Sequence, residues 1–266
     1  MKAKFFLMAI AAIALAGCGS TTQLGNKITN ATNQMGKIAK EAQKIKDAVN
    51  QTGVMLPERS GAQGSANGTA GNITFNIRGK INHTNYNKNQ SSSVSFSAIP
   101  TTIEEFEQLQ QQLGKEPQGA VALQIMAFEM YRKDPKLGEA ALKLNNTQTN
   151  YNSTRSRMKE IMNESDTYYA RPYLAAAMLV GAKPENGYTP SKPYTVKVRV
   201  HPVNKYQNSE ILEGTVLYLQ IDANGWDTNW RGVEVVRPEG TPYFVVSNCP
   251  AMYTQCKKIK GTYKGL

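Results

Sequence analysis

The chain contains few of the residues from which metal centres and covalent catalytic sites are built. Its 266 residues include three cysteines, two histidines and two tryptophans. The nucleophile turn G-x-S-x-G, the phosphate loop G-x-x-x-x-G-K-[ST], the zinc motif H-E-x-x-H and the dinucleotide fingerprint G-x-G-x-x-G are all absent. The sequence therefore predicts no metal site, no cofactor and no identifiable catalytic residue, which makes an enzyme the less favoured class.

Long apolar runs are also absent. The run from Phe5 to Gly17 is uncharged, follows Lys2 and Lys4, and has 13 residues, whereas a helix that spans a bilayer needs about 20. Its length, its basic start and the small residues at its end are typical of a secretory signal peptide. The sequence therefore predicts export rather than a membrane-spanning helix at this position.

The predicted signal peptide ends in Leu15-Ala16-Gly17-Cys18, which resembles the lipobox of bacterial lipoproteins. The resemblance implies cleavage between Gly17 and Cys18, removal of residues 1–17, and attachment of a diacylglycerol to the Cys18 thiol. Two or three acyl chains, such as palmitate, would hold the mature chain firmly in a membrane, because each buried methylene contributes about 0.8 kcal/mol. An ordinary secretory signal that happens to end before a cysteine is the alternative.

We expect such a lipoprotein in the cell envelope, bound to membrane lipid through Cys18. Gly19 and Ser20 follow this residue without an acidic group, and no acidic cluster favours display on the cell surface. The first choice is therefore attachment to the outer membrane facing the periplasm, with a single-membrane bacterium left open.

The chain is basic, with a formal net charge of +11 at pH 7. In an exported protein such a charge favours contact with anionic lipid head groups or acidic envelope polymers, and we expect no nucleic-acid partner. The positive residues are scattered along the sequence, so a general contribution to solubility is the simpler explanation.

Apart from Cys18, the cysteines form one pair, Cys249 and Cys256, in the segment NCPAMYTQC. Six intervening residues allow a small loop closed by a disulfide, which oxidising compartments permit. Two free thiols are the first alternative. A metal site is disfavoured because His83 and His201 are the only histidines that could complete it. The sequence therefore favours a disulfide.

Residues 18–58 are predicted to hold the lipid anchor and an amphipathic helix. Apolar residues recur there at alternating steps of four and three, the spacing of a coiled-coil seam. They are Leu24, Ile28, Ala31, Met35, Ile38, Ala42, Ile45 and Val49. Small and polar residues weaken this pattern. A helix packed on the folded domain, a stalk that self-associates weakly through residues 24–49, a basic helix on the membrane surface and a solvated spacer remain as alternatives.

The composition changes again after residue 58. Residues 59–72 are dominated by glycine, alanine, serine and asparagine and are predicted to form a flexible linker. Residues 73–266 are predicted to form the folded domain, since Ile73, Phe75 and Ile77 alternate with polar residues as they would in a strand. The same alternation in SVSFSAI predicts a second strand and hence a hairpin.

A helical half follows this hairpin. Helices are predicted near residues 102–114, 119–133, 135–144, 145–163 and 172–181. A capping box of Thr102 and Glu105 starts the first helix, and the second is apolar on nearly all sides, as a buried helix is. Alternating segments after residue 194 predict further strands. The fold class is therefore α+β, with three to five helices packed on a mostly antiparallel sheet.

The segment GAKPENGYTPSKPYT, residues 181–195, joins the helical half to the β half. Together with IPTTIEEFEQL and the apolar helix from Gly119 to Arg132, it resembles an uncharacterised family of exported bacterial domains whose hallmark is a GA-x-PENGYTPSKPYT-like loop. The resemblance covers residues 100–246 and implies an α+β domain with no known activity, substrate or catalytic residue. Members of the family carry a serine-, glycine- and arginine-rich strand region late in the domain, where this chain has DANGWDTNWRGVEVVRPEG.

The same loop supplies candidate ligand-binding residues. Its prolines restrict the backbone, which is what a rigid linker requires. Alternatively, Tyr188, Lys192 and Tyr194 face solvent as a preformed aromatic surface. Trp226 and Trp230 flank a turn and extend this candidate surface, since an aromatic pair beside carboxylates can bind a sugar or a peptide.

Two functions of different classes remain. The favoured one is a non-enzymatic module of the cell envelope that binds a protein, peptide or glycan partner near the membrane. The alternative is a hydrolase that acts on envelope glycan or peptide through Asp222, Asp227 or Glu234. That alternative requires two of these carboxylates to lie about 5–10 Å apart in one cleft.

Overall fold

The computed structural model describes residues 65–166 and 168–266 of the chain. This part forms an α+β domain of eight strands and five α-helices, so the predicted fold class is confirmed. The strands are β1 (Ser65–Ala70), β2 (Ile73–Arg78), β3 (Ser91–Phe96), β4 (Tyr194–Val200), β5 (Gln207–Ser209), β6 (Gly214–Asp222), β7 (Trp230–Val236) and β8 (Val245–Asn248). The helices are α1 (Ile103–Leu113), α2 (Pro117–Lys133), α3 (Pro135–Asn145), α4 (Gln148–Ile161) and the short α5 (Pro250–Tyr253).

Some predictions fall outside the described residues. These are the signal peptide of residues 1–17, the lipid on Cys18, and the amphipathic helix of residues 18–58 with its self-association through residues 24–49. They stay predictions. Within the described residues, no helix combines the length and the hydrophobicity that crossing a bilayer requires.

One antiparallel sheet contains all the described strands. The order along its main path is β1-β2-β3-β4-β6-β7-β8, and β5 pairs with β6. Neighbouring strands thus follow the order of the chain, with helices α1 to α4 inserted between the adjacent strands β3 and β4. Helix α2 contacts four strands of this sheet, and α1 contacts β1. The helices therefore cover one face of the sheet.

Burial alternates along the strands, as it does in a sheet with one covered face. In β4, Val196 and Val198 are buried against the helices, while Lys197 between them is exposed. The residues of β2 and β3 alternate in the same way. The second face of the sheet consequently carries polar and charged side chains, and no helix of the described residues covers it.

Strand β1 corrects the predicted linker boundary. Residues 59–72 are predicted to be flexible, yet Ser65–Ala70 pairs with β2 from end to end. Gly68 lies opposite Phe75, and a Cβ at Gly68 would come within 2.2 Å of the Phe75 ring. The small residues of β1 therefore leave room for an aromatic ring, a role that their composition does not distinguish from that of a linker.

The first four predicted helices are confirmed, and side chains cap three of them, the first at Thr102 as the sequence predicts. The Thr102 hydroxyl accepts a hydrogen bond from the backbone N–H of Glu105 at 3.2 Å. The Asp134 carboxylate accepts one from Lys136 N–H at 2.8 Å at the start of α3, and Thr147 caps α4. Such caps satisfy N–H groups that have no partner within the first helical turn.

Helix α2 forms the centre of the core. Every residue from Pro117 to Tyr131 is buried, which agrees with a sequence that is apolar nearly all round. Helix α3 crosses α2 closely, because a Cβ at Gly138 would come within 2.1 Å of the Tyr131 Cα. Backbone contact of this kind is possible only where one helix has no side chain.

The prediction of a helix over residues 172–181 is wrong. Only the 3₁₀ turn Ala176–Met178 forms there. Beyond that turn the backbone bonds to other segments instead of to itself: Val180 N–H donates to Thr195 O, and Ser191 N–H donates to Val180 O, each at 2.9 Å. The apolar residues of this segment are buried as predicted, but as a connection tied to β4.

Candidate functional site

The five residues of the predicted ligand surface do not form one exposed surface. Tyr188 is fully buried, and Tyr194 and Trp226 are buried as well. Trp230 is half-buried, and Lys192 is exposed at the end of the loop. The prediction of an exposed aromatic surface centred on the loop is therefore wrong. Of the four predicted rings, only that of Trp230 is partly exposed.

Tyr188 is instead part of the core. Its ring stacks on that of Tyr173 with centroids 4.7 Å apart, and its hydroxyl donates to the carbonyl oxygen of Lys257 at 2.9 Å. Burial raises the pKa of Tyr188 above its usual range. The loop thus holds the helical half and the C-terminal segment together, as the rigid-linker interpretation expects.

The predicted disulfide between Cys249 and Cys256 is not formed; both cysteines are free and buried. They have different neighbours, because the short helix α5 lies between them. The Cys249 sulfur contacts the side chains of Asn150 and Thr154, each at 3.5 Å. The Cys256 sulfur lies 4.0 Å from the Tyr188 hydroxyl. Burial raises the pKa of both thiols, that of Cys256 to about 12, so neither is an activated nucleophile.

The three candidate catalytic acids do not share a cleft, which removes the geometry that the hydrolase alternative requires. Asp227 is exposed and pairs with Lys257 at 2.9 Å. Glu234 accepts a hydrogen bond from the Asn248 amide at 3.0 Å. Asp222 lies opposite Trp230, and Glu234 is four residues farther along β7, or about 13 Å at the rise of an extended strand. In addition, no three His, Cys, Asp or Glu side chains of the described residues are grouped as metal ligands would be.

The open face of the sheet carries a groove of about 840 Å³, which we call the basic groove. It is lined by Arg78, Gly79, Lys88, Asn89, Gln90, Ser91, Ser92, Ser93, Lys197, Val198, Arg199, Asp222 and Trp230. Strand pairing brings these residues together from β2, β3, β4, β6 and β7 and from the β2–β3 connection.

The groove is positively charged. Four of its lining residues are cationic, namely Arg78, Lys88, Lys197 and Arg199, whereas Asp222 is its only acid. Among the described residues, none of these four cations forms a salt bridge. The positive charge of the groove is therefore not neutralised by the domain itself.

One residue on β6 and one on β7 hold the Arg199 side chain in a fixed position. Its Nε donates to the Gln220 side-chain oxygen at 2.9 Å. Its guanidinium carbon lies 3.5 Å from the centroid of the Trp230 ring, a close cation–π contact. Among the described residues, neither Nη group of the guanidinium makes a further hydrogen bond or salt bridge, so both are available to a ligand.

A row of polar groups crosses the floor of the groove. Arg78 pairs in register with Ser93, and Ser93 with Lys197, so their side chains lie side by side on one face. Ser91 pairs in the same way with Arg199. The groove therefore alternates cations with hydroxyl groups across adjacent strands.

A second pocket, of about 540 Å³, includes His83, Tyr86, Tyr206 and Phe244. Its aromatic groups are engaged in the fold: the Tyr86 hydroxyl donates to His201 O, and the Tyr206 hydroxyl to Asn82 O, each at 2.9 Å. Burial, followed by the charge of Arg237, lowers the pKa of His83. This pocket offers fewer free polar groups than the basic groove.

Sequence reasoning missed the basic groove, although it singled out Trp230 and Asp222 for other reasons. A signal is present in the strand VKVRV, where Lys197 and Arg199 alternate with valines and must share one face. That signal becomes a site only when the pairing partners of β4 are known. The serines of SSSVSF lie on β3, which pairs with β4, and Arg78 lies on β2, which pairs with β3.

Comparison with known proteins identifies a domain family but no activity. No curated protein and no solved structure matches the chain. Residues 98–260, which include all the helices and strands β4 to β8, match a family described as a domain of unknown function, DUF6935. The chain belongs to this family.

Proposed function

We propose that this chain is a membrane-anchored lipoprotein of the cell envelope whose folded domain is a non-enzymatic binding module. The LAGC sequence supports the anchor at Cys18, with attachment to the outer membrane facing the periplasm as the first choice. The heptad segment of residues 24–49 would then separate the domain from the bilayer, with weak self-association as a further role. The ligand-binding surface is the basic groove.

The observation that carries this proposal is the unneutralised charge of the basic groove. Helices cover one face of the sheet, while the other face presents Arg78, Lys197 and Arg199 without ionic partners in the described part of the domain. Clustered cations attract anionic partners over distances of up to a Debye length. The candidate acids lie apart, so binding explains this surface better than hydrolysis does.

The anchor and the groove can be tested separately. Full-length protein is expected in the membrane fraction of cells, and the Cys18→Ser variant is expected to leave it because no acyl chain can be attached. Persistence of the variant in the membrane fraction would contradict the anchor.

For the groove, purified Cys18→Ser protein is sedimented with isolated envelope material. We expect co-sedimentation that Lys197→Gln plus Arg199→Gln greatly reduces. The matched control, Lys136→Gln plus Lys143→Gln, removes the same charge from the exposed side of α3 and is expected to sediment like the parent. Equal sedimentation of all three proteins would show that the groove is not the binding surface.

A further inference from the structure

We propose that the ligand of the basic groove is an acidic glycan, a saccharide chain that carries anionic groups at intervals. The inference rests on the proposed function, because it assigns a ligand class to the same groove. Its basis is the spacing of the cations, the hydroxyl groups between them, and the fixed Arg199–Trp230 pair.

The cations are spread out and do not converge on one point. Arg78 and Lys197 lie on either side of Ser93 in the register of three adjacent strands. Their Cα atoms are therefore about 10 Å apart, since neighbouring strands are separated by about 4.8 Å. A single phosphate or carboxylate cannot contact both side chains at their bases, whereas a chain with spaced charges can.

The groove also has the extent that a chain needs. From Arg78 on β2 to Trp230 on β7 it crosses β3, β4 and β6. Four strand separations correspond to about 19 Å. A ligand that fills this length is an oligomer rather than a single small ion.

Neutral polar groups between the cations match sugar hydroxyls. The hydroxyls of Ser91 and Ser93 lie in the groove, and neither makes a side-chain hydrogen bond to another of the described residues. A serine hydroxyl can both donate and accept, as a sugar hydroxyl can. The floor therefore offers partners for the uncharged part of a saccharide as well as for its anionic groups.

The Arg199–Trp230 pair supplies an ordered anion site at one end. Because Gln220 and Trp230 fix the guanidinium, little side-chain entropy is lost when a carboxylate or an acidic ester binds it. Part of the Trp230 side chain remains accessible for contact with a sugar ring.

Other polyanions fit less well. Single-stranded nucleic acid is usually held by several stacking rings along a basic groove, whereas Trp230 is the only aromatic residue in this lining. A membrane surface is bound by apolar residues that insert between lipids. In the groove Trp230 is the only large apolar side chain on the open face, since Val198 is buried against the helices.

The test uses Cys18→Ser protein and measures binding by calorimetry and by the change in tryptophan fluorescence, to which Trp226 and Trp230 both contribute. The probes are a uronate tetrasaccharide, a sulfated maltotetraose, neutral maltotetraose, a single-stranded DNA oligomer of matched charge, and vesicles that contain anionic lipid. We expect binding of at least one of the two acidic tetrasaccharides and no binding of neutral maltotetraose. Comparison of uronate with sulfate identifies the anionic group.

Two double variants test whether the acidic tetrasaccharide binds in the basic groove. Lys197→Gln plus Arg199→Gln, and Arg78→Gln plus Lys88→Gln, are each expected to weaken binding of the acidic tetrasaccharide about tenfold, which is about 1.4 kcal/mol, because each double variant loses two charge-assisted contacts. The control Lys136→Gln plus Lys143→Gln should bind like the parent. Circular dichroism and thermal melting check that every variant is folded.

Three results would overturn the inference: no binding of either acidic tetrasaccharide, equal or tighter binding of the DNA or the vesicles, or loss of affinity in the control alone. The absence of binding to either acidic tetrasaccharide does not by itself contradict the proposed function. If envelope sedimentation still depends on Lys197 and Arg199, the groove is the binding surface and only the ligand class is wrong.

Discussion

The guanidinium carbon of Arg199 lies 3.5 Å from the centroid of the Trp230 ring, and the two residues belong to strands that are separated by β6. Gln220 on β6 completes the arrangement by accepting a hydrogen bond from Arg199 Nε. The contact therefore joins three strands on the open face of the sheet, where none of the described helices packs. It also fixes the shape of one end of the basic groove.

Replacing the ring should cost stability on this open face. We expect Trp230→Ala to lower the free energy of unfolding by about 1–2 kcal/mol, from the lost cation–π contact and the lost apolar area. Urea denaturation measures the change. Trp230→Phe keeps an aromatic face and should lose less. A double-mutant cycle with Arg199→Ala should give a coupling energy of at least about 0.5 kcal/mol, and independent effects of the two substitutions would contradict the contact.

Alkylation should show that Cys249 and Cys256 are two free thiols. In the Cys18→Ser background, denatured but unreduced protein is expected to take up two equivalents of iodoacetamide, because Cys249 and Cys256 are free. The native protein should react slowly, since both sulfurs are buried and burial raises both pKa values. Mass spectrometry counts the labels. An absence of labelling in the unreduced, denatured protein would indicate a disulfide.

Alkaline pH should destabilise the domain through Cys256. The folded-state pKa of this thiol is raised to about 12 by burial, above the value of about 8.5 in unfolded chains. Between these two values the unfolded state loses the proton and the folded state keeps it. This contribution to stability is therefore complete below pH of about 8.5 and falls by about 1.4 kcal/mol per pH unit above it.

Denaturant unfolding at pH 8, 9 and 10 tests this pH dependence. Cys256→Ala should show a correspondingly smaller decline than the parent, although it is less stable at pH 8 because a buried side chain is lost. Parallel pH profiles for the two proteins would show that the thiol does not titrate as expected.

The close crossing of α2 and α3 should not tolerate a methyl group. Gly138→Ala would place a Cβ within 2.1 Å of the Tyr131 Cα, so we expect a loss of about 1–3 kcal/mol or more, as for other overpacked cores. Gly232→Ala is the matched control, because a Cβ there meets nothing within 4 Å. This control should be neutral or stabilising by about 0.5–1 kcal/mol, as expected for alanine in place of glycine within a strand. Equal effects of the two substitutions would contradict the described packing.

Local signals predicted much of the helical half. Thr102 caps α1 as the sequence predicts, and the apolar sequence of α2 is buried throughout. These signals depend on residues within a few positions of each other. The same local logic failed for residues 172–181, because the bonds from Val180 to β4 and Ser191 replace helical ones.

The basic groove depends on long-range pairing, which one sequence does not reveal. Arg78 and Lys197 are far apart in the chain and become neighbours only through β3. Tyr188 shows the opposite case: it is prominent in a proline-rich loop, yet Tyr173 and Cys256 enclose it from distant segments. Residue type alone therefore ranked a core tyrosine above the cations of the open face.

The insertion of the helices between β3 and β4 has a consequence for the order in which the chain folds. Ser95 and Thr195 are paired neighbours, although 100 residues separate them in the chain. Closing a loop of this length costs about 4 kcal/mol of chain entropy beyond a constant term, whereas the neighbouring pairs β2–β3 and β4–β6 are joined by only 12 residues (79–90) and 13 residues (201–213). The pairing of β3 with β4, which we call the β3–β4 seam, therefore has the highest entropic cost of closure in the sheet. Because the helices lie within the loop that this pairing closes, we expect the seam, and the basic groove that spans it, to form late in folding.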